Sequence, residues 1–404
     1  MNSDLIAVLD LGSTKVTCLV ASPDGTDGMS IEGLASTPCR GMRRGQVADI
    51  QEVSRAVDEV VKQVQLEIDE PIDEVIVGIT GAHIEGINSQ GFRPIIPAGR
   101  KLTHQDVLEV INHSRSVLIA PDREQIQSLP REFRVDGQRN VHRPVGMTGS
   151  KLEVLTYIAT GQTSSLQNIE QAVAGAGRRV EQMVIQSLAS GIGVLTPEEM
   201  ELGAAVVDIG GSTTDVAIFL NGSIAFSACI PIGGIAVTSD LVQLLKTSPE
   251  EAERLKLAAG CALAKLVDDK QSVEVLQLGQ PVARPMQRRV LCEIIQSRMK
   301  EVAAMVGTQI ENSNFGTVLP GGIVLTGGGS AMQGTANLFE DCLKRFKVRV
   351  AEPNLGSKFP DQVGMATAVG LASFAIQCFD EFAPAEGVVP WRDRVKSLFS
   401  MLSR

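Results

Sequence analysis

Two short stretches of the chain repeat one order of residue types: residues 8–15 read VLDLGSTK and residues 206–214 read VVDIGGSTT. In each, an apolar run ends in an aspartate, a Gly/Ser/Thr turn follows, and a second β-rich run returns, VTCLVA in the first and DVAIFL in the second. That is how a hairpin reads. Such a turn can hold phosphate. Gly12, Gly210 and Gly211 let the backbone approach closely, the hydroxyls of Ser13, Thr14, Ser212 and Thr213 can donate to phosphate oxygens, and Lys15 adds a point charge. Asp10 and Asp208, at the strand ends, are placed to hold the waters around a magnesium ion, which keeps much of its hydration shell. A lone turn of this kind is more often an ordinary hairpin. A third stretch shifts the balance: IVLTGGGSAMQGTANLFEDCLKRF, residues 323–346, is an apolar strand running into Gly327, Gly328 and Gly329 and then an amphipathic helix. A strand, a glycine turn and a helix N-terminus make a site for a ribose or phosphate group, because the first helical N–H groups are unpaired and the dipole favours anions.

These turns need strands and helices to hold them, and two related halves of α/β type, each opening with the same hairpin, meet that need. The chain has 404 residues, a formal charge of −10 and 44% hydrophobic residues, enough for two or more packed units. Its acidity argues against nucleic acid as a partner, since phosphate contacts need clustered Lys and Arg. The start does not read as a signal peptide, and no apolar run is long enough to span a membrane. Seven scattered cysteines without a C-x-x-C fit reduced thiols, and four histidines without helical i, i+4 pairing argue against a zinc site.

The last fourteen residues, WRDRVKSLFSMLSR, hold the only tryptophan. Numbered as a helix they place Trp391, Val395, Leu398, Phe399 and Leu402 on one stripe, with Arg392, Arg394, Lys396 and Arg404 against the single acid Asp393. Such a helix is about 21 Å long at 1.5 Å per residue, too short to span a bilayer. It can fold at a membrane surface, burying the stripe and pairing its basic face, Lys396 included, with anionic lipid. A helix docked on its own domain would show the same stripe. DEFAPAEGVVP, residues 380–390, acidic with two prolines, reads as a linker.

The three glycine elements together resemble the two phosphate loops and the adenosine motif of the actin, Hsp70 and sugar-kinase superfamily. QSLASGIGVL (186–195) and MATAVGLAS (365–373) resemble its two crossing helices. The segments PCRGMRRGQVADI, GITGAHIEGINSQG, RPVGMTGSKLEV, ELGAAVVDIGGSTTDVAIF, SVEVLQLG and RPMQRRVLCEIIQSRMKEV resemble the bacterial cell-division family FtsA along essentially the whole length. That resemblance implies an actin-like two-lobed ATPase fold of duplicated ribonuclease-H-like domains with an inserted α+β subdomain and a C-terminal amphipathic helix. The implied layout is a first lobe of 1–85 and 165–195, an inserted subdomain of 86–164, a second lobe of 196–231 and 310–379, and within it an α-rich subdomain of 232–309. A linker of 380–390 and a membrane helix of 391–404 follow.

By the same resemblance the ligands are ATP and magnesium, with Glu253 and Lys256 against the adenosine, although a solvated helix face explains those two residues equally well. The implied partners are the tail peptide of the tubulin homologue FtsZ, further copies of the chain in a homopolymer, later division proteins and an anionic membrane at the division septum. For the FtsZ tail, Arg288, Arg289, Arg298 and Lys300 surround an apolar helix face. No acid is identified by spacing as a catalytic base, so ATP reads chiefly as a conformational and polymerisation ligand with at most slow hydrolysis. The competing readings are a PilM-like pilus-assembly scaffold, a sugar kinase and an Hsp70-type chaperone. The basic tail speaks against the first two, and the shortness of the chain after the second lobe against the third. Ser212 stands where many family members have a third glycine. Asp208→Ala is expected to impair magnesium-ATP binding far more than Ser212→Gly, and calorimetric titration showing comparable losses would overturn that ranking.

Overall fold

In a computed structural model the protein is described over residues 5–24, 28–353, 355 and 363–380. The two hairpins open two five-stranded sheets of one topology. The first runs Arg179–Ile185, Glu74–Ile79, Ile6–Leu11, Lys15–Asp24, Gly28–Pro38 across the sheet, and the second Val348–Val350, Ile323–Thr326, Ala204–Ile209, Thr214–Leu220, Ser223–Ile230. In both, the first three strands in the chain pair antiparallel and the next two join in parallel beside the first. The match extends to single residues. Asp10 lies opposite Thr17 and Asp208 opposite Asp215, and the turns are closed by Gly12 N–H on Lys15 C=O (3.0 Å) and Gly210 N–H on Thr213 C=O (2.9 Å). The duplication read from two sequence fragments is therefore a repeated sheet. The first strands, Val8 and Leu9 in one sheet and Val206 and Val207 in the other, are buried on both faces, as strands covered by helices must be.

Each sheet is followed by a helix, and the two helices cross. Gln186–Val194 leaves the last strand of the first sheet, and Ala366–Asp380 follows the second. Their backbones touch because small residues line the crossing. A Cβ added at Gly370 would lie 1.7 Å from the Ala189 carbonyl oxygen.

Between Glu74–Ile79 and the end of the first sheet the chain builds a separate four-stranded antiparallel sheet in the order Gln138–Val141, Arg123–Val135, Lys151–Gln162, Glu85–Pro94. The helix His104–Arg115 covers it over a small core that includes Leu102, Val110, Leu152 and Val154. Thr103 and Asp106 cap that helix reciprocally. Asp106 is buried, and the Arg100 guanidinium beside it holds its carboxyl well below the usual carboxylate range. In the second half, helices Gly234–Leu245, Pro249–Ala259 and Arg288–Asn312 form the α-rich insertion, and Ser248 caps its helix by accepting from Glu251 N–H, as its sequence predicts. Among the described residues no helix is long and apolar enough to cross a membrane. The tail residues Trp391, Val395, Lys396, Leu398, Phe399 and Leu402 lie outside the described residues.

The crossing yields a direct expectation. Gly370→Ala forces a steric clash with backbone and should lower unfolding free energy by about 2 kcal/mol or more, whereas Gly328→Ala, with no atom within 4 Å of the added Cβ, should leave it nearly unchanged. Urea denaturation of the two variants checks the contrast, and equal losses would refute it.

Candidate nucleotide cleft

The two glycine turns face each other across the gap between the sheets. Ser13 and Ser212 hydroxyls touch, and Thr14 packs where a Cβ on Gly211 would fall, 2.6 Å from its methyl. Lys15 extends from the first turn to Met365, Nζ to Sδ 3.8 Å, at the foot of the second crossing helix. The turn residues Gly12, Ser13, Thr14, Lys15, Gly210, Gly211, Ser212 and Thr213 are thus gathered at one place.

Beneath the turns lie the aspartates. Gln186 Nε2 donates to Asp10 (2.8 Å), and Ser190 Oγ donates to Asp208 (2.6 Å). Gln186 and Ser190 are one turn apart on the first crossing helix, so a single helix face holds both carboxylates. From the second crossing helix Thr367 Oγ1 also donates to Asp208 (3.1 Å) and meets Ser190 Oγ (2.9 Å). A third carboxylate, Asp215, is buried behind them and accepts from Thr80 Oγ1 of the opposite lobe.

Burial pushes the Asp10 carboxyl up to about 7, the neighbouring Asp208 pushes in the same direction, and Lys15 opposes. Asp215 is likewise pushed up to about 7 by burial, against the Thr80 hydroxyl, with Asp208 and Asp10 adding to the rise. Asp208 is raised by burial and lowered by the Ser190 and Thr367 hydroxyls and by Lys15. A hydrated divalent cation fits this donor set, because it relieves the repulsion that raises these groups. Among the described residues no three acidic, histidine or cysteine side chains form a direct metal cage, so such an ion would be held through water and phosphate oxygens.

The third glycine element differs from its expected form. Gly327, Gly328 and Gly329 do not enter a helix. Ser330 turns back onto Gly327 C=O through both its N–H (2.9 Å) and its hydroxyl (2.8 Å), and the helix starts only at Thr335, behind a left-handed Gly334 (φ 82°). What the glycines provide is closeness. A Cβ on Gly327 (φ 78°) would stand 2.1 Å from Asp208 Oδ1, while Gly328 faces open space. The helix N-terminus that does reach the site belongs to Gly234–Leu245, whose Gly234 and Ile235 N–H groups are bonded to Gly210 C=O (2.9 Å) and Gly211 C=O (2.8 Å). Lys256 sits at its start, donating to Gly234 C=O (3.2 Å) and Thr238 Oγ1 (2.9 Å) and pairing with Glu253 (2.7 Å). Glu253 and Lys256 are therefore next to the second turn, already joined to each other.

The four basic residues of the long helix separate. Arg289 and Lys300 line an open depression of about 560 Å³ with Glu293, Gln296, Leu338 and Cys342. Arg288 turns away to Ala259 C=O and Gln271 (2.8 Å each), and Arg298 forms a two-pronged ion pair with Asp240 (2.7 and 2.9 Å).

Sequence reasoning passed over Asp215, Gln186, Ser190, Thr367 and Thr80. One signal was available for Asp215: laid over each other, the two hairpins put Thr17 and Asp215 at the same position, seven residues after the aspartate.

Two equal sheets, two crossing helices and facing phosphate-type turns define an actin-like two-lobed fold. Solved structures agree. The chain superposes on a PilM-PilN type IV pilus biogenesis complex with TM-score 0.62 (16% identity, 91% of this chain and 97% of that one). It also superposes on MreB5 of Spiroplasma citri bound to ADP with TM-score 0.55 (13% identity, 93% and 97%). A family model described as "Cell division protein FtsA" matches residues 205–370, and "SHS2 domain inserted in FTSA" matches residues 81–160. Cell division protein FtsA of Pseudomonas aeruginosa is 34% identical over 92% of this chain and 89% of its own length, and that of Escherichia coli K12 is 34% identical over 92% and 90%. The chain belongs to the FtsA family of cell-division proteins.

The raised carboxyls set a pH signature. Asp215 binds its proton more tightly folded than unfolded, so its contribution to stability is full below about pH 4 and is lost as pH rises towards 7. Without nucleotide or magnesium, Asp215→Asn should gain on the native chain by an amount on the order of 1 kcal/mol per pH unit across that window. Urea midpoints measured from pH 4 to 8 test this, and a difference that stays flat would refute it.

Proposed function

We propose that the protein binds ATP with magnesium between its two lobes, polymerises, and tethers FtsZ filaments to the cytoplasmic face of the membrane at the septum, where it recruits later division proteins. The observation that carries the nucleotide half is the convergence of Asp10 and Asp208 on one helix face beneath two facing glycine turns. Magnesium would supply charge neutralisation between the phosphates and these carboxylates. The protein's own residues do the rest: Gly12–Lys15 and Gly210–Thr213 hold phosphate, Gly328 offers the nucleoside an open backbone surface between the closely packed Gly327 and Gly329, and Glu253 with Lys256 flank it. ATP in this reading is chiefly a conformational and polymerisation ligand with at most slow hydrolysis, and Asp215 lies buried beside both aspartates, held by the Thr80 hydroxyl of the opposite lobe.

We assign the subdomains as the sequence layout has them, with the inserted sheet carrying later division proteins and the depression on the long helix taking the FtsZ tail. Lys300, exposed beside that depression, offers free charge to an acidic peptide, whereas Arg289 lines it already paired with Asp269. Arg298 is already neutralised by Asp240 and Glu301, which argues against a direct peptide role. Lys300→Glu should weaken binding of an FtsZ tail peptide about tenfold, as read by fluorescence anisotropy. No change in affinity would remove the depression from the account.

The amphipathic tail gives weak attachment singly, and many tails on one filament give avidity. Co-sedimentation with anionic liposomes in ATP tests this. The full chain should pellet with lipid, and a chain ending at Pro390 should not; equal behaviour would refute the membrane role.

A further inference from the structure

The sequence RRG at residues 43–45 lies on the cleft. Met42–Arg43 and Gln46–Val47 form a two-stranded hairpin whose turn is Arg44–Gly45, both in left-handed conformation (φ 49° and 79°). The turn is pressed into the first lobe, where a Cβ on Gly45 would meet Thr80 C=O at 2.6 Å. Thr80 is the residue that donates to Asp215. On its other side the turn reaches the second lobe: Arg44 N–H donates to Ser212 Oγ (2.9 Å), the hydroxyl that also touches Ser13. Arg44 therefore stands where the two phosphate turns and the Thr80–Asp215 contact come together. Its side chain is exposed, and among the described residues its guanidinium has no hydrogen-bond or ion-pair partner.

We propose that Arg44 is the residue that distinguishes a nucleoside triphosphate from a diphosphate, its guanidinium bonding the terminal phosphate; this rests on the nucleotide reading of the cleft. A guanidinium forks two donors onto a phosphate, the strongest hydrogen-bond geometry available to a neutral-pH side chain. Lys15 is the only cation on the two turns themselves, so beside the magnesium of the nucleotide reading the turns offer a triphosphate one protein cation, and Arg44 stands next to them as a second. The Ser13–Ser212 contact also occupies two hydroxyls that phosphate oxygens would use, so a phosphate that reaches them parts the pair directly beside the Arg44 N–H that Ser212 accepts. The Arg44 backbone therefore adjoins the position that such a phosphate would take.

The test is calorimetric titration of the full chain with magnesium-ATP and magnesium-ADP, for the native protein, Arg44→Asn and Arg43→Asn. Asparagine tolerates the left-handed conformation, so the turn and its N–H are kept. Arg44→Asn should weaken ATP about tenfold and ADP by less than about twofold, and Arg43→Asn should change neither. Equal losses for ATP and ADP, the same losses from Arg43→Asn, an unchanged ATP-to-ADP ratio in Arg44→Asn, or a native chain that binds both nucleotides equally would each overturn the assignment. A native chain that binds neither nucleotide would instead remove the nucleotide reading, and this inference with it. Should Arg44→Asn fail to fold, Arg44→Gln, read against the same criteria, decides the matter.

Discussion

Three carboxylates, Asp10, Asp208 and Asp215, are gathered at the base of one cleft, and the remaining architecture follows from that constraint. Carboxylates brought out of water repel one another and lose hydration, so each needs donors fixed at the right distance. The duplicated sheet brings Asp10 and Asp208 to equivalent strand ends. The helix Gln186–Val194 then supplies a donor to each from residues one turn apart, and Thr367 from the second helix completes the set. Both helices must pass within reach of both strands, which forces them together so closely that glycine is required at the crossing.

The lobes meet at two levels. Below, the helices cross and hydroxyls interlock at Ser190 and Thr367. Above, the turns touch through Ser13 and Ser212, with Arg44 bonded to the same serine. Ser212 takes its meaning from this geometry. A third glycine would leave the upper contact to the packing of Thr14 on Gly211, whereas the hydroxyl links three segments that are distant in sequence. It is also the kind of link that phosphate oxygens can replace bond for bond.

Much of this was legible in the sequence because the signals are local. A hairpin declares itself by an aspartate and a glycine turn between β-rich runs, a helix start by Ser248 before acidic residues, and a helix crossing by small residues at one-turn spacing. What was hidden depends on partners far along the chain. Asp215 reads as an ordinary strand residue until the fold sets it against Thr80, and Arg298 reads as a free cation until Asp240, 58 positions away, neutralises it. The glycines at 327–329 misled for another reason. A helix-forming pattern follows them, yet Ser330 satisfies Gly327 C=O locally and delays the helix to Thr335.

The Arg298 ion pair has a consequence for how the two proposed sites are connected. It fastens the long helix Arg288–Asn312 to the helix Gly234–Leu245, and the first N–H groups of that second helix are bonded to Gly210 and Gly211 of the second turn. A continuous chain of hydrogen bonds thus leads from the phosphate turn to the helix that carries Arg289 and Lys300. Helices transmit displacement as rigid bodies, and a two-pronged ion pair resists sliding better than a single bond. The second turn and the helix bordering the depression are thus joined through hydrogen bonds, and the connection passes through Arg298, a residue whose basic charge alone would place it in the binding surface.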